Sequence, residues 1–461
     1  MFNGSEVSKG IGIGIAKVIA SRDGSVMSNE EFIEAISGMK PGAVLVASHL
    51  TPFMVGVLKE YSISGLVCET GGMASHSALA AKSMGIPAVY DVIGATSGIN
   101  DGDTVIVDGI SGYVYERPDP EIVAGYSVKR KKYLADLEQL KEFRNRKTIM
   151  ADGTQAVVMC NTSDILSVMH AIDEGGEGIG LFRTENLLSG EGRIPDEEEQ
   201  TRVYSRVVSS MKGKEVIIRT LDIGGDKSIP FLELEKEDNP FLGYRGVRYS
   251  LGHRDVFSVQ LRAILRASAG GNISIMIPMI TCVEEMRSIK SLIHEIKSDL
   301  RDEGYEFDDD IKVGATIETP SAAIIADMLA HECDFFSIGT NDLVQYVMSA
   351  DRGNSRVAYL QSVTQPSVLR MIKQTIDAAK SAGIDISMCG EAASDPEVIP
   401  IIAGFGCRKF SVNPRSVSEV RRTLSEWTVA DAEKLASDVL KIPVDQEIRE
   451  YLHKIYKDRK S

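Results

Sequence analysis

Arginines, carboxylates and one thiol recur at short spacing through the second half of this 461-residue chain. Arg183 is followed by Thr184 and Glu185, and Arg219 by Asp222 and then GGDK, which carries Lys227. Glu318 closes KVGATIE, GTNDL supplies Asn341 and Asp342, and Asp351 and Arg352 come soon after. MCGE adds Cys389 and Glu391, and Asn413 closes CRKFSVN. Arginines gathered at one site repel one another unless an anion sits among them, and guanidinium forks match phosphate and carboxylate. Two neighbouring carboxylates can hold a hard divalent cation, usually Mg2+, which keeps several waters and takes further oxygens from substrate phosphate. A thiol among cations can act as acid, base or nucleophile. The set predicts a site for a small phosphorylated carboxylic acid with Mg2+. Singly, each residue has a plainer reading: an arginine in a surface ion pair, a cysteine in the core.

A second constellation lies near the start. In ETGGMASHSALAAKSMG, Gly71 and Gly72 form a tight turn, and Ser75 and His76 open a helix. Exposed N–H groups and the dipole at a helix start favour an anion, so a phosphorylated His76 would be held well there. The competing reading is a capping Ser75 beside an incidental histidine. His49, in ASHLTP, is the other histidine of this region.

These groups need elements to position them. From Gln155 to Glu426 strand and helix signals alternate, with eight strand runs at 156–161, 177–183, 216–222, 273–279, 312–318, 334–339, 385–391 and 407–413. Alternating β and α implies parallel pairing, and eight units in this length predict an α/β fold, a closed (β/α)8 TIM barrel. An open doubly wound sheet is the alternative, but no G-x-G-x-x-G follows the first strand. In such a barrel the active site lies at the C-terminal strand ends, where all the residues of the first constellation fall. The N-terminal part reads as a small β/α domain, with strand runs at Lys9–Ala20, 42–48, 63–69, 86–92 and 103–109 and helical spacing at 29–36, 51–61 and 75–84. A charged stretch, Val128 to Lys147, suits a connecting helix. The expected domains are therefore 1–120, a linker helix over 121–150, a barrel over 151–430 and C-terminal helices over 431–461.

Composition narrows the function classes. Lys and Arg number 51 against 66 Asp and Glu, a net charge of −15, which argues against a broad nucleic-acid surface. No run approaches the ~20 apolar residues of a membrane helix. The six cysteines form no C-x-x-C pair, and MFNGSEVSKG lacks a signal-peptide pattern, so a reducing cytoplasm is expected.

With these residues in view, the chain resembles the phosphoenolpyruvate-utilising enzymes, and within them the Enzyme I group of the bacterial sugar phosphotransferase system. The segments that carry the resemblance are GGMASHSALAAKSMGIPAV, EGIGLFRTENLL, VIIRTLDIGGDK, NPFLGYRGVR, IETPSAA, FFSIGTNDLVQYVMSADRGN and MCGEAA. The resemblance implies an N-terminal swivelling domain in which His76 takes the phosphoryl group, with Thr51 nearby. It implies that Arg183, Arg219 and Arg352 clamp the substrate phosphate, assisted by Asn341, with Lys227 and Arg245 as further basic residues of the pocket. It makes Glu318 and Asp342 the Mg2+ ligands and Cys389 the thiol that protonates the enolate carbon to give pyruvate. It further implies a swing of the small domain about a hinge near Pro118–Pro120 and the helix after it, a homodimer through the barrel and a phosphocarrier-like acceptor protein. The helical domain that binds the phosphocarrier in Enzyme I is expected to be missing, since only about Ser21 to Pro41 separate the first two long strands. Met73 and Ala74 replace an arginine and a threonine of that group, and Lys82 an arginine. Two other readings stand beside this one: the barrel half of a split pyruvate phosphate dikinase or phosphoenolpyruvate synthase, and a phosphoenolpyruvate-sensing regulator.

Overall fold

The computed structural model describes residues 1–20, 27–71, 75–189, 193–224 and 236–460, leaving aside a few helix side chains, that of His76 among them. It divides into two compact units, Met1–Lys141 and Glu142–Ser461.

The first unit is built on one mixed sheet. Its strands are β1 (Phe2–Asn3), β2 (Ser5–Ser8), β3 (Ile11–Ile19), β4 (Val44–Ala47), β5 (Gly65–Cys68), β6 (Ala88–Tyr90), β7 (Thr104–Asp108) and β8 (Tyr113–Glu116), in the order β1-β8-β7-β3-β4-β5-β6-β2. The central run β3-β4-β5-β6 is parallel and the flanks are antiparallel. Every residue of β4 and β5 is buried, as expected of parallel strands covered on both faces. Helix Asn29–Ile36 crosses from β3 to β4, started by a capping box between Ser28 and Glu31. Helix Pro52–Val57 follows β4, with Thr51 as its cap and proline at its first turn. Helix His76–Met84 follows β5; Ser75 caps it and Gly85, at φ +65°, ends it in the left-handed region. Helix Pro120–Lys141 starts earlier than the charged stretch suggested, because Pro120 is preset for a first helical turn. It is fastened to the sheet by Lys129 Nζ on Asp108 Oδ2 at 2.6 Å and by Tyr126 on Tyr115.

The second unit is the α/β barrel. Eight parallel strands, β9 (Val157–Thr162), β10 (Ile179–Arg183), β11 (Val216–Arg219), β12 (Ile273–Ile277), β13 (Lys312–Ile317), β14 (Phe335–Gly339), β15 (Asp385–Cys389) and β16 (Lys409–Val412), close in chain order. The seam pairs β16 with β9, Phe410 opposite Val158. Alternate residues point outward under the helix ring, while Met159, Leu181, Ile217, Met276, Phe335 and Cys389 pack inside the barrel. Arg421, on helix Val417–Ser425, reaches Thr148 Oγ1 at 3.0 Å and the carbonyls of Phe143, Arg144 and Gly175, so the entry segment is clamped to the barrel. Helices Val429–Val439 and Asp445–Lys460 finish the chain, and no helix among the described residues is long and apolar enough to cross a membrane.

Candidate active site

The C-terminal strand ends of the barrel converge on one charged cluster. Arg219 ends β11, where its side chain points inward, and is almost fully buried. Its Nη2 meets Glu185 Oε1 at 2.5 Å and its Nη1 meets Asp222 Oδ2 at 3.2 Å. Arg245 has no solvent exposure. Its Nη2 donates to Asp222 Oδ1 at 3.1 Å, and its Nη1 donates both to Asp342 Oδ1 and to the Tyr346 hydroxyl at 3.1 Å. Burial works against both cations, but the carboxylates win and hold both guanidinium groups above their ordinary pKa: Glu185 and Asp222 for Arg219, Asp222 and Asp342 for Arg245. The Nε atoms of both arginines are buried with no hydrogen-bond partner.

Arg352 lies 3.8 Å from Asp342 Oδ2 through its Nη1, and its guanidinium covers the ring of Phe241. Tyr346 in turn donates to the Phe241 carbonyl, so the NPFLGYRG loop is tied to helix Thr340–Val347. Arg183 ends β10 with its surface open to solvent. Partial loss of water around it, then repulsion from Arg219, holds its pKa below the usual arginine value. Asn341 is exposed at the start of its helix and accepts from the Glu391 N–H at 3.3 Å. Lys227 lies outside the described residues.

Glu318 follows β13 and is buried; its Oε1 accepts from the Met279 N–H at 2.7 Å. It packs over Gly339, where any Cβ would stand 2.6 Å from its Oε2, so the close approach requires glycine. Burial first, then the charges of Asp342 and Asp222, push its pKa up to about 8 against the pull of Arg219 and Arg245. Such crowding of buried carboxylates is what a divalent cation relieves, and hard oxygen donors suit Mg2+. Among the described residues no group of three His, Cys, Asp or Glu forms a metal cage, so a cation here would keep water or substrate oxygens beside two carboxylates. Cys389 ends β15 and is buried; burial raises its pKa, so it carries its proton at neutral pH. The structure thus brings Arg219, Arg245, Glu318, Asp342, Arg352 and Cys389 to one end of one barrel, with Arg183 and Asn341 at its open rim.

In the first unit, the ends of β4 and β5 bring His49 Nδ1 within 3.3 Å of Thr70 Oγ1, and Thr51 Oγ1 accepts from the Met54 N–H. Ser75 Oγ accepts from the Ala78 N–H and donates to the Gly71 carbonyl at 2.8 Å. His76 is the first residue of its helix, and its side chain lies outside the described residues. Sequence reasoning placed Asp222 and Glu185 at strand ends but gave them no role. They are the counter-ions that make a buried arginine cluster tolerable, and an acid two or three residues after each strand-end arginine was the signal. Tyr346 had none beyond its place in NDLVQY.

Comparison with known proteins supplies the lineage. Residues 137–429 match the model of the PEP-utilising enzyme, PEP-binding domain, and residues 39–112 that of the PEP-utilising enzyme, mobile domain. A phosphoenolpyruvate-protein phosphotransferase of Staphylococcus carnosus is 41% identical over 405 residues, 88% of this chain and 71% of its own. Its namesakes in Geobacillus stearothermophilus (41% over 440 residues, 95% and 75%) and Bacillus subtilis (42% over 414 residues, 90% and 73%) are similar to the same degree. With both domains matched in order around the cluster just described, the chain belongs to the PEP-utilising enzyme family.

Proposed function

We propose that this chain transfers the phosphoryl group of phosphoenolpyruvate to His76, releases pyruvate, and passes the group on to a phosphocarrier-like protein. The observation that carries the proposal is the chain of ion pairs Glu185–Arg219–Asp222–Arg245–Asp342, with buried Glu318 and a protonated Cys389 beside it. In this reading Arg183, Arg219 and Arg352 bind the phosphate and hold it for in-line attack, with Arg245, Lys227 and Asn341 completing the pocket. Glu318 and Asp342 would hold Mg2+, whose charge supplies electrostatic stabilisation of the phosphoryl group. The arginines are fixed by their carboxylates before substrate arrives, so little reorganisation is left for the transition state. His76 attacks phosphorus through a neutral ring nitrogen. The enolpyruvate left behind takes the Cys389 proton at its methylene carbon and becomes pyruvate. The small domain visits the barrel for this step and then leaves, a hinge-type motion. By the same family likeness the chain works in the cytoplasm as a homodimer through its barrel.

Only helix Asn29–Ile36 stands between β3 and β4 among the described residues, and the relatives extend well beyond the matched length. The test is incubation with labelled phosphoenolpyruvate and Mg2+. Acid-labile phosphate on the wild type and none on His76→Ala is the expected result; no acid-labile phosphate on the wild type defeats the proposal.

A further inference from the structure

Inside the barrel, directly beneath the thiol, two hydroxyls form a directed chain. Ser387 Oγ donates to Ser337 Oγ at 3.1 Å, with the Phe336 carbonyl a longer second acceptor at 3.5 Å, and Ser337 Oγ donates to Cys389 Sγ at 3.1 Å, whose own proton faces the Ile338 carbonyl at 3.6 Å. The strands set this chain: Ser337 is opposite Ser387 and Gly339 opposite Cys389 in the β14–β15 register, so both serines point inward one layer below the sulfur. Both are buried. Barrel interiors are filled mainly by branched apolar side chains, and the same interior holds Met159, Leu181, Ile217 and Met276. A buried hydroxyl costs stability unless it is used, and here each has a defined partner. Ser411, opposite Cys389 on the next strand, donates instead to Asn161 Oδ1 at 2.6 Å, so its hydroxyl proton is turned away from the sulfur.

We propose that Ser337 and Ser387 are positioning residues for the proton transfer at Cys389, fixing the sulfur and stabilising the charge it acquires. The inference rests on the function proposed above. In the step, the S–H bond of Cys389 breaks and a C–H bond forms at the methylene carbon of enolpyruvate. The enolate oxygen becomes the ketone of pyruvate, and the S–H electron pair stays on sulfur. Ser337 keeps its O–H on the new thiolate, and Ser387 keeps its own on Ser337. The thiolate regains a proton from water when pyruvate leaves. A hydrogen bond to a charged acceptor is stronger than one to a neutral thiol, so the chain favours the state after transfer over the state before it.

The test compares two reactions of the full chain. Phosphohistidine formation from labelled phosphoenolpyruvate reports phosphoryl transfer. Exchange of pyruvate methyl protons in D2O, with phosphorylated enzyme and Mg2+, reports the proton step. In Ser337→Ala the ratio of methyl exchange to phosphohistidine formation is expected to fall about tenfold, the size of one hydrogen bond to a charged group. In Ser387→Ala it falls less, about threefold, and Ser337→Thr restores the wild-type ratio. An unchanged ratio in Ser337→Ala overturns the inference, as does a low ratio that Ser337→Thr leaves low. Should Ser337→Ala fail to fold, an unchanged ratio in Ser387→Ala overturns it. A wild type that forms no phosphohistidine defeats the proposed function instead, which separates the two failures.

Discussion

The barrel mouth and the start of helix His76–Met84 in the small unit handle charge in opposite ways. At the mouth, Arg219, Arg245, Asp222, Glu318 and Asp342 are all buried, and the two arginines lock three acids of the cluster, Glu185 included, into fixed places. At the helix start that carries His76, the described partners are neutral hydroxyls, Ser75 and Ser77, and nearby Thr51, His49 and Thr70 are partly or wholly open to water. The difference teaches where preorganisation is stored. A site that must stabilise a transferring phosphoryl group keeps its dipoles fixed and dry. A carrier that must bind and release the same group at two places gains nothing from gripping it tightly, since equal grip in every state adds no rate.

The largest expected effect breaks the mouth. Arg245→Ala takes from buried Asp222 and Asp342 the partner they share, leaving Arg219 on one and the more distant Arg352 on the other, a loss of about 3 kcal/mol, the lower end of the cost of breaking a buried ion pair. A chemical denaturation midpoint measures it, and turnover of phosphoenolpyruvate falls with it. Lys129→Ala, the matching cut in the first unit, strands only Asp108 and removes a partner that is half open to solvent, so its cost is smaller. Equal costs would erase the contrast.

A pH titration sharpens it next. Glu318 has a folded pKa of about 8 against 4.5 as its ordinary value. Between these the folded state holds a proton that the unfolded state has lost, so stability falls as pH rises through that window. In Glu318→Gln the slope disappears. If the proposed Mg2+ site is formed by the ionised pair, Mg2+ at about pH 8 is expected to raise the melting temperature of the wild type more than that of Glu318→Gln. Asp108 runs the other way. Burial raises its pKa, but the hydrogen bonds from Lys129, Ser111 and Ile110 outweigh it and hold it below 3.8. Its contribution is present above 3.8 and is lost as pH falls through the folded value. The two units are expected to show opposite acid responses by hydrogen exchange.

The smallest effect lies at the carrier. Ser75→Ala removes the cap of helix His76–Met84 and is expected to cost about 1 kcal/mol in local helix stability, read by hydrogen exchange of the first turn. Loss of phosphohistidine in that variant on the scale of Arg245→Ala would place the preorganisation in the wrong unit.

All eight barrel strands were legible because each is a short apolar run between helical periods, buried on both sides. The rim followed from them, since strand ends point one way. Three strands of the first unit went unread. β1 is two residues, β2 is SEVS and β8 is YVYE, too short or too polar to signal, and all three pair with partners 80 or more residues away, β1 with β8 and β2 with β6. The ion pairs of the mouth were unreadable for a related reason: Arg245 and Asp342 are 97 residues apart, and only closure of the barrel makes them neighbours. The serine pair beneath Cys389 was hidden likewise, because one inward serine per strand looks like ordinary small-residue packing.

The seam between β9 and β16 sets a timetable for biosynthesis. Every strand of the first sheet has been synthesised by residue 116, so that unit can fold while the rest is still being made. The barrel cannot: Ser411 and Asn161, joined across the seam, are 250 residues apart, roughly 12 to 50 seconds of translation at common rates. Throughout that interval β9 presents a bare edge, and the nascent chain depends on its short strands and charged helices to stay apart from its neighbours on the polysome.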